Sequence, residues 1–131
     1  METAVKQQLT PMLGVHDCEG AIEFYKRAFG AEEVGERYPY EGKIGHAELR
    51  IGDALVMLAD EFPAHNSTPK RLGGTPVILH LDVEDTDAWV DRAVAVGAEK
   101  LYEPMDEPYG RVCKIRDPFG HVWMLNGPAV G

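Results

Sequence analysis

Apolar positions along the chain switch between two periods, and the switches mark the elements. Residues 9–15 (LTPMLGV) read as a short strand, and Pro11, which lacks a backbone donor, points either to an edge or to a strand missing one ladder bond. Asp17 stands where a helix N-cap belongs, Ala21, Ile22, Tyr25 and Phe29 recur at helical spacing, and Gly30 follows as the stop. Residues 32–38 and 44–51 form a hairpin across 39–43, and 54–59 (ALVMLA) is a further strand. The segment 61–76 holds three prolines and a glycine pair with almost no apolar residue, which makes it a connector. The pattern then restarts. Residues 77–83 (VILHLDV) are a strand, Asp85 a cap, Trp89, Ala93 and Val96 a helical face, and Gly97 a stop. A short strand near 99–103 leads to a hairpin of 111–116 and 121–126. Its corner, Asp117-Pro118-Phe119-Gly120, has the residue types of a type I turn.

The two halves answer each other. Val15-His16-Asp17 matches Val83-Glu84-Asp85, Gly30-Ala31-Glu32 matches Gly97-Ala98-Glu99, and Leu55-Val56-Met57-Leu58 matches Val122-Trp123-Met124-Leu125, a period of about 67 residues. Each copy is too small to bury its own apolar face, so the copies are expected to pack together in one domain over 1–131: module one at 9–60, connector at 61–76, module two at 77–127.

Composition narrows the function. A formal charge of −9 argues against nucleic acid, whose phosphates need a surplus of Lys and Arg. Cys18 and Cys113 have no metal-finger spacing, and two free thiols in a reducing cytoplasm are expected. No signal segment and no run of 18 apolar residues is present, so no membrane partner is expected.

Paired βαβββ modules carrying AIEFYKRAFGAE (21–32), GHAELRIGD (45–53) and DPFGHVWML (117–125) resemble the vicinal-oxygen-chelate superfamily, which includes glyoxalase I, bleomycin-resistance proteins and extradiol dioxygenases, and within it the PhnB-like branch. The likeness runs over roughly 9–127. It implies an α+β fold whose two modules make an open, eight-stranded, cup-like sheet with both helices on the convex side. It also implies a homodimer. Metal-dependent members of that family take one ligand from the first and one from the last strand of each module. Carried over strand by strand, those positions are Thr10, Leu58, Ile78 and Met124. None is His, Asp or Glu, so neither a metal nor another cofactor is expected.

Strand alternation then fills the cup. If Leu58 faces it, so do Val56 and Asp60, with Leu55 and Met57 under the helices. If Ile78 faces it, so do His80 and Asp82, with Val77, Leu79 and Leu81 behind. Ala47, Leu49 and Ile51 are the natural core face of their strand, leaving His46, Glu48 and Arg50 opposite. The candidate ligand-binding residues are therefore Thr10, Met12, His46, Glu48, Val56, Leu58, Ile78, His80 and Met124, with no catalytic residue assigned. His46 reads equally as a surface strand residue and His80 as a core histidine. Glu48 and Arg50 read also as a surface pair, and Arg111 either as a strand-end ion pair or as a contact for an anionic ligand. Trp89 and Trp123 are expected in the core and His121 on loop backbone. Two functions follow, beside a third reading as a subunit with no ligand of its own. One is metal-free binding or sequestering of an apolar or aromatic small molecule, of the bleomycin-resistance type. The other is a glyoxalase- or dioxygenase-like enzyme using a non-standard metal set of His46, Glu48 and His80, or acid–base chemistry by His46 and Glu48.

Overall fold

Both long helices begin and end where side-chain chemistry dictates. In the computed structural model, which describes residues 4–131, α1 (Cys18–Phe29) follows β1 (Met12–Val15), and the Asp17 carboxylate accepts the Gly20 amide. Gly30, at φ 67°, closes α1 in the left-handed conformation that glycine adopts without strain. The chain continues through β2 (Glu32–Glu33), β3 (Tyr38–Tyr40), β4 (Lys43–Ile51), β5 (Ala54–Asp60), α2 (Pro69–Leu72) and β6 (Ile78–Asp82). Then come α3 (Thr86–Ala95), capped by Asp85, and β7 (Glu99–Lys100), β8 (Met105–Glu107), β9 (Gly110–Arg116) and β10 (Val122–Gly127).

The strands make two sheets of the same design. One runs β1-β5-β4-β2 with β3 also on β4; the other runs β6-β10-β9-β7 with β8 also on β9. β1 is parallel to β5 and β6 to β10, while the remaining pairs are antiparallel. The sheets are not closed onto each other. The second strand expected in each module is broken in two, which makes each sheet five-stranded. Gly35, at φ 68°, interrupts the first copy and Pro104 lies in the break of the second. The connector also holds α2, a single turn capped by the Thr68 hydroxyl with Pro69 in its first turn.

Both helices lie on the same side of the sheets, and one apolar cluster joins α1, α3 and the helix-facing side of both sheets. Phe29 sits 4.9 Å from the Trp123 ring and stacks on Trp89 at 6.0 Å. Trp123 is buried and Trp89 partly so, as their spacing predicts. At the β9–β10 turn Gly120 donates to the Asp117 carbonyl at 3.0 Å, closing the turn.

The side assigned to β5 from its sequence is inverted. Leu58 is 0% and Val56 4% exposed, both within the core, and Asp60 turns the same way to accept the Cys18 amide at the start of α1. Register with β4 imposes this. Leu58 lies opposite Ala47 and Val56 opposite Leu49, and directly opposed residues share a face. Leu55 and Met57 therefore face away from the helices, opposite Arg50 and Glu48.

Candidate ligand-binding face

The strand face turned away from the helices carries the remaining candidates. Met12, 53% exposed, pairs with Met57 across β1–β5. In the second sheet Ile78, His80 and Asp82 pair with Val122, Met124 and Asn126. Ile78 is 46% exposed, and His80 is exposed and bonded to Asp82 at 3.0 Å. His46, Glu48 and Met124 are half-buried on this face. Thr10 precedes β1 and belongs to no strand. Val56 and Leu58 are excluded by their place in the core.

Among the described residues, no three His, Cys, Asp or Glu side chains gather as a metal would require, so His46, Glu48 and His80 do not converge. Of the four positions carried over from the metal-dependent members, Ile78 and Met124 lie on this face, Leu58 is in the core and Thr10 precedes β1. A hydroxyl, two alkyl groups and a thioether do not fit a divalent Zn, Ni or Fe ion, which takes imidazole, carboxylate or thiolate donors.

The same face has a feature that sequence reasoning missed. β3 and β4 are joined by a two-residue turn, Glu41 at φ 49° and Gly42 at φ 76°, as a tight hairpin prefers. Their register then skips one residue: Tyr38 pairs with His46, but Pro39 pairs with Ile44 and Tyr40 with Lys43. Gly45 is the unpaired residue of this bulge. A side chain there would meet the Tyr40 Cβ at 2.8 Å and the Tyr38 ring at 3.3 Å. Its absence lets both tyrosines close over Met12, Gly14 and Ala59. Phe62, His65 and Ser67 from the connector complete a cavity of about 370 Å³. Tyr40 meets Phe62 edge-on at 5.2 Å, and the Lys43 ammonium lies 4.7 Å over the far ring.

A second cleft of about 420 Å³ shares Met12, Leu13, Gly14 and Ser67 with the first and runs between β1 and β6, past Leu72, Val77 and Leu79. The Ser67 hydroxyl is buried at this shared wall without a hydrogen-bond partner. His121 borders the cleft and donates from Nε2 to the Gly14 carbonyl at 2.9 Å, so its partner is backbone of strand β1, 107 residues away, and not the loop backbone expected. Arg111 is taken up by Asp87 at 2.7 Å. Arg50 pairs with Glu32 rather than Glu48.

The model of the Glyoxalase/Bleomycin resistance protein/Dioxygenase superfamily matches residues 7–125. The Mycobacterium bovis protein Mb0911c is 43% identical over 98% of this chain and 88% of its own length. Among solved structures, the At5g48480 gene product of Arabidopsis thaliana is 31% identical with a TM-score of 0.75, covering 93% of this chain and 99% of that one. TnmS3, an antibiotic binding protein from Streptomyces sp. CB03234, shares the fold at 24% identity and TM-score 0.72, covering 98% of this chain and all of that one. A doubled βαβ architecture, a family match across nearly the whole chain and a close mycobacterial relative agree: this chain belongs to the glyoxalase, bleomycin resistance protein and dioxygenase superfamily.

Proposed function

We propose that this chain binds and sequesters a small apolar or aromatic organic molecule on its open strand face, without a metal. The observation that carries this is the joined pair of cavities around Met12, walled by Tyr38, Tyr40 and Phe62 and holding the unpartnered Ser67 hydroxyl. Aromatic and thioether walls favour burial of an apolar group, and one free hydroxyl in such a wall selects a ligand that bonds it. TnmS3 shows that the fold serves as an antibiotic binder elsewhere. The chain works in this account as a cytoplasmic homodimer, since exposed Met12, Val77, Ile78 and Met105 offer apolar surface along open edges.

A neutral flat dye such as Nile red tests the site directly. Its fluorescence should rise on binding to the wild-type chain and fall back with Gly45→Val. Near-stoichiometric Zn, Ni, Fe or Mn in purified protein, lost on chelation together with a lyase or ring-cleaving activity, would overturn the metal-free account in favour of the enzyme. A 14.5 kDa particle by light scattering at micromolar concentration would remove the dimer.

A further inference from the structure

Acidic residues outnumber basic ones 22 to 13 in this chain, yet one region reverses the balance. Two neighbouring cavities, of about 460 and 570 Å³, share His16 and Lys70. Around them stand His16, Lys43, Lys70, Arg71 and Arg116, with Glu61 as the one acid in their walls. Glu61 and Arg71 offset each other: the carboxylate binds Arg71 at 2.6 Å and accepts the Thr68 hydroxyl at 2.7 Å, contacts that hold it below the usual range. The Lys43 ammonium donates to the Glu61 carbonyl, so the surplus positive charge rests on Lys43, Lys70 and Arg116. Arg116 is tied to Glu99 at 2.8 Å, but both are exposed, and such a pair exchanges readily for a better anion. Lys70 and His16 have no ion-pair partner among the described residues. Beyond a Debye length the chain's overall negative field is screened, so these local cations decide what approaches.

The backbone holds the group in place. Pro69 packs so closely on the β9–β10 turn that a Cβ on Gly120 would lie 2.6 Å from the Pro69 Cβ, which seats α2 and its Lys70 beside Arg116 and Pro118. The His16 ring rests on Phe119 at 5.2 Å. Gly73 and Gly74 leave the rim open on the side facing solvent, with nothing near either Cα that a side chain would meet.

We propose that His16, Lys43, Lys70, Arg71 and Arg116 form an anion site that accepts a phosphate group, free or carried on a small organic molecule. The site shares Pro69 and Gly74 with the β1–β6 cleft and meets the tyrosine cavity through Lys43, whose ammonium lies over Phe62, while its other cations line neither cavity of the open strand face.

Tripolyphosphate, inorganic phosphate and adenosine monophosphate are titrated calorimetrically into the full-length chain in 50 mM salt. Backbone amide shifts of Gly73, Gly74 and Gly120 are followed in parallel. Tripolyphosphate should bind, move those amides and weaken on going to 200 mM salt. The double variant Lys70→Gln/Arg116→Gln should lose about tenfold in affinity, as expected for two exposed charge contacts. Lys100→Gln, a cation outside both cavities, should change nothing. Adenosine monophosphate binding tighter than inorganic phosphate assigns the group to a carried phosphate, and equal or weaker binding assigns it to the free ion. Unshifted amides, or equal losses in the double variant and in Lys100→Gln, would overturn the site. Gly45→Val should keep tripolyphosphate binding while losing the neutral dye, so the two sites fail separately.

Discussion

Tyr25→Phe removes one donor from a buried carboxylate and nothing else. Asp117 is 3% exposed and accepts four hydrogen bonds. The Phe119 and His121 amides reach Oδ1 at 2.9 and 3.0 Å, while the Trp123 indole, at 2.9 Å, and the Tyr25 hydroxyl share Oδ2. Burial, followed by the adjacent Asp117 charge, pushes the Tyr25 hydroxyl well above its ordinary range, so it remains a donor. A hydrogen bond to a charged group contributes about 1.5–3 kcal/mol, and phenylalanine leaves no cavity, so that figure is the expected loss. The chain should stay folded, since domains have roughly 5–15 kcal/mol in hand, with Tm lower by about 5–12 °C. Asp117→Asn should cost more, about 3–5 kcal/mol. Whichever way its amide turns, it places an NH2 against donors, and the indole N–H has no other partner. Urea titration followed by circular dichroism measures both, and the double variant gives their coupling. A Tyr25→Phe loss under about 0.5 kcal/mol would refute the account, because that is the scale of ordinary surface changes. The stakes reach the binding face. Tyr25 belongs to module one and Asp117 to module two, so this acceptor holds together the sheets that border the cleft.

Leu58→Asp should destabilise by roughly 4 kcal/mol or more by burying an unpaired charge, whereas Met57→Asp, one residue along, should fold normally and bind Nile red less well. Equal behaviour of the two in thermal melts and dye titration would mean the β5 register is wrong. Gly45→Val should keep the circular dichroism spectrum yet lose most dye binding, because its Cβ would lie 2.8 Å from the Tyr40 Cβ and 3.3 Å from the Tyr38 ring and force both tyrosines to shift. Alkaline stability should fall early. Burial, helped at Cys18 by the Asp60 charge, raises Cys18 from 9.0 to about 12, and burial raises Cys113 to about 11. The folded chain keeps protons that the unfolded chain releases, so this contribution is whole below pH 9.0 and is lost as pH climbs toward 11–12. Urea midpoints at neutral pH and at increasing pH above that value check it, and a flat profile would contradict it.

What the sequence showed plainly was local chemistry. Asp17, Asp85 and Gly30 act within a turn of their own positions, so their roles as caps and stop follow from residue type. The Asp117 turn was legible for the same reason. Its bond to Tyr25, 92 residues away, was not, because no local pattern encodes it. The side of β5 was misread because ALVMLA is apolar at nearly every position and carries no alternation. Pairing with β4 decides, and the internal period already held the answer. It sets Leu58 against Leu125 and Met57 against Met124, and in β10 it is Leu125 that is buried. Tyr38 and Tyr40 escaped notice because Pro39 reads as the start of a turn, while the bulge at Gly45 is visible only once two strands are paired.

That bulge also breaks the symmetry between the halves. In module two the matching strands pair without a skip, Met105 with Val112 and Glu107 with Gly110. By the internal period Val112, 2% exposed, corresponds to Gly45 of module one, and Met105 and Glu107 correspond to the two tyrosines. Repetition supplies two similar sheets, but the cavity walled by Tyr38 and Tyr40 lies at the rim of the first, and the proposed binding of a flat group is assigned there. Saturating titration should therefore give one Nile red per chain, abolished by Tyr38→Ala/Tyr40→Ala and unaffected by Met105→Ala. Two equivalent sites per chain, or sensitivity to Met105 alone, would show that the rim of module one is not what receives the ligand.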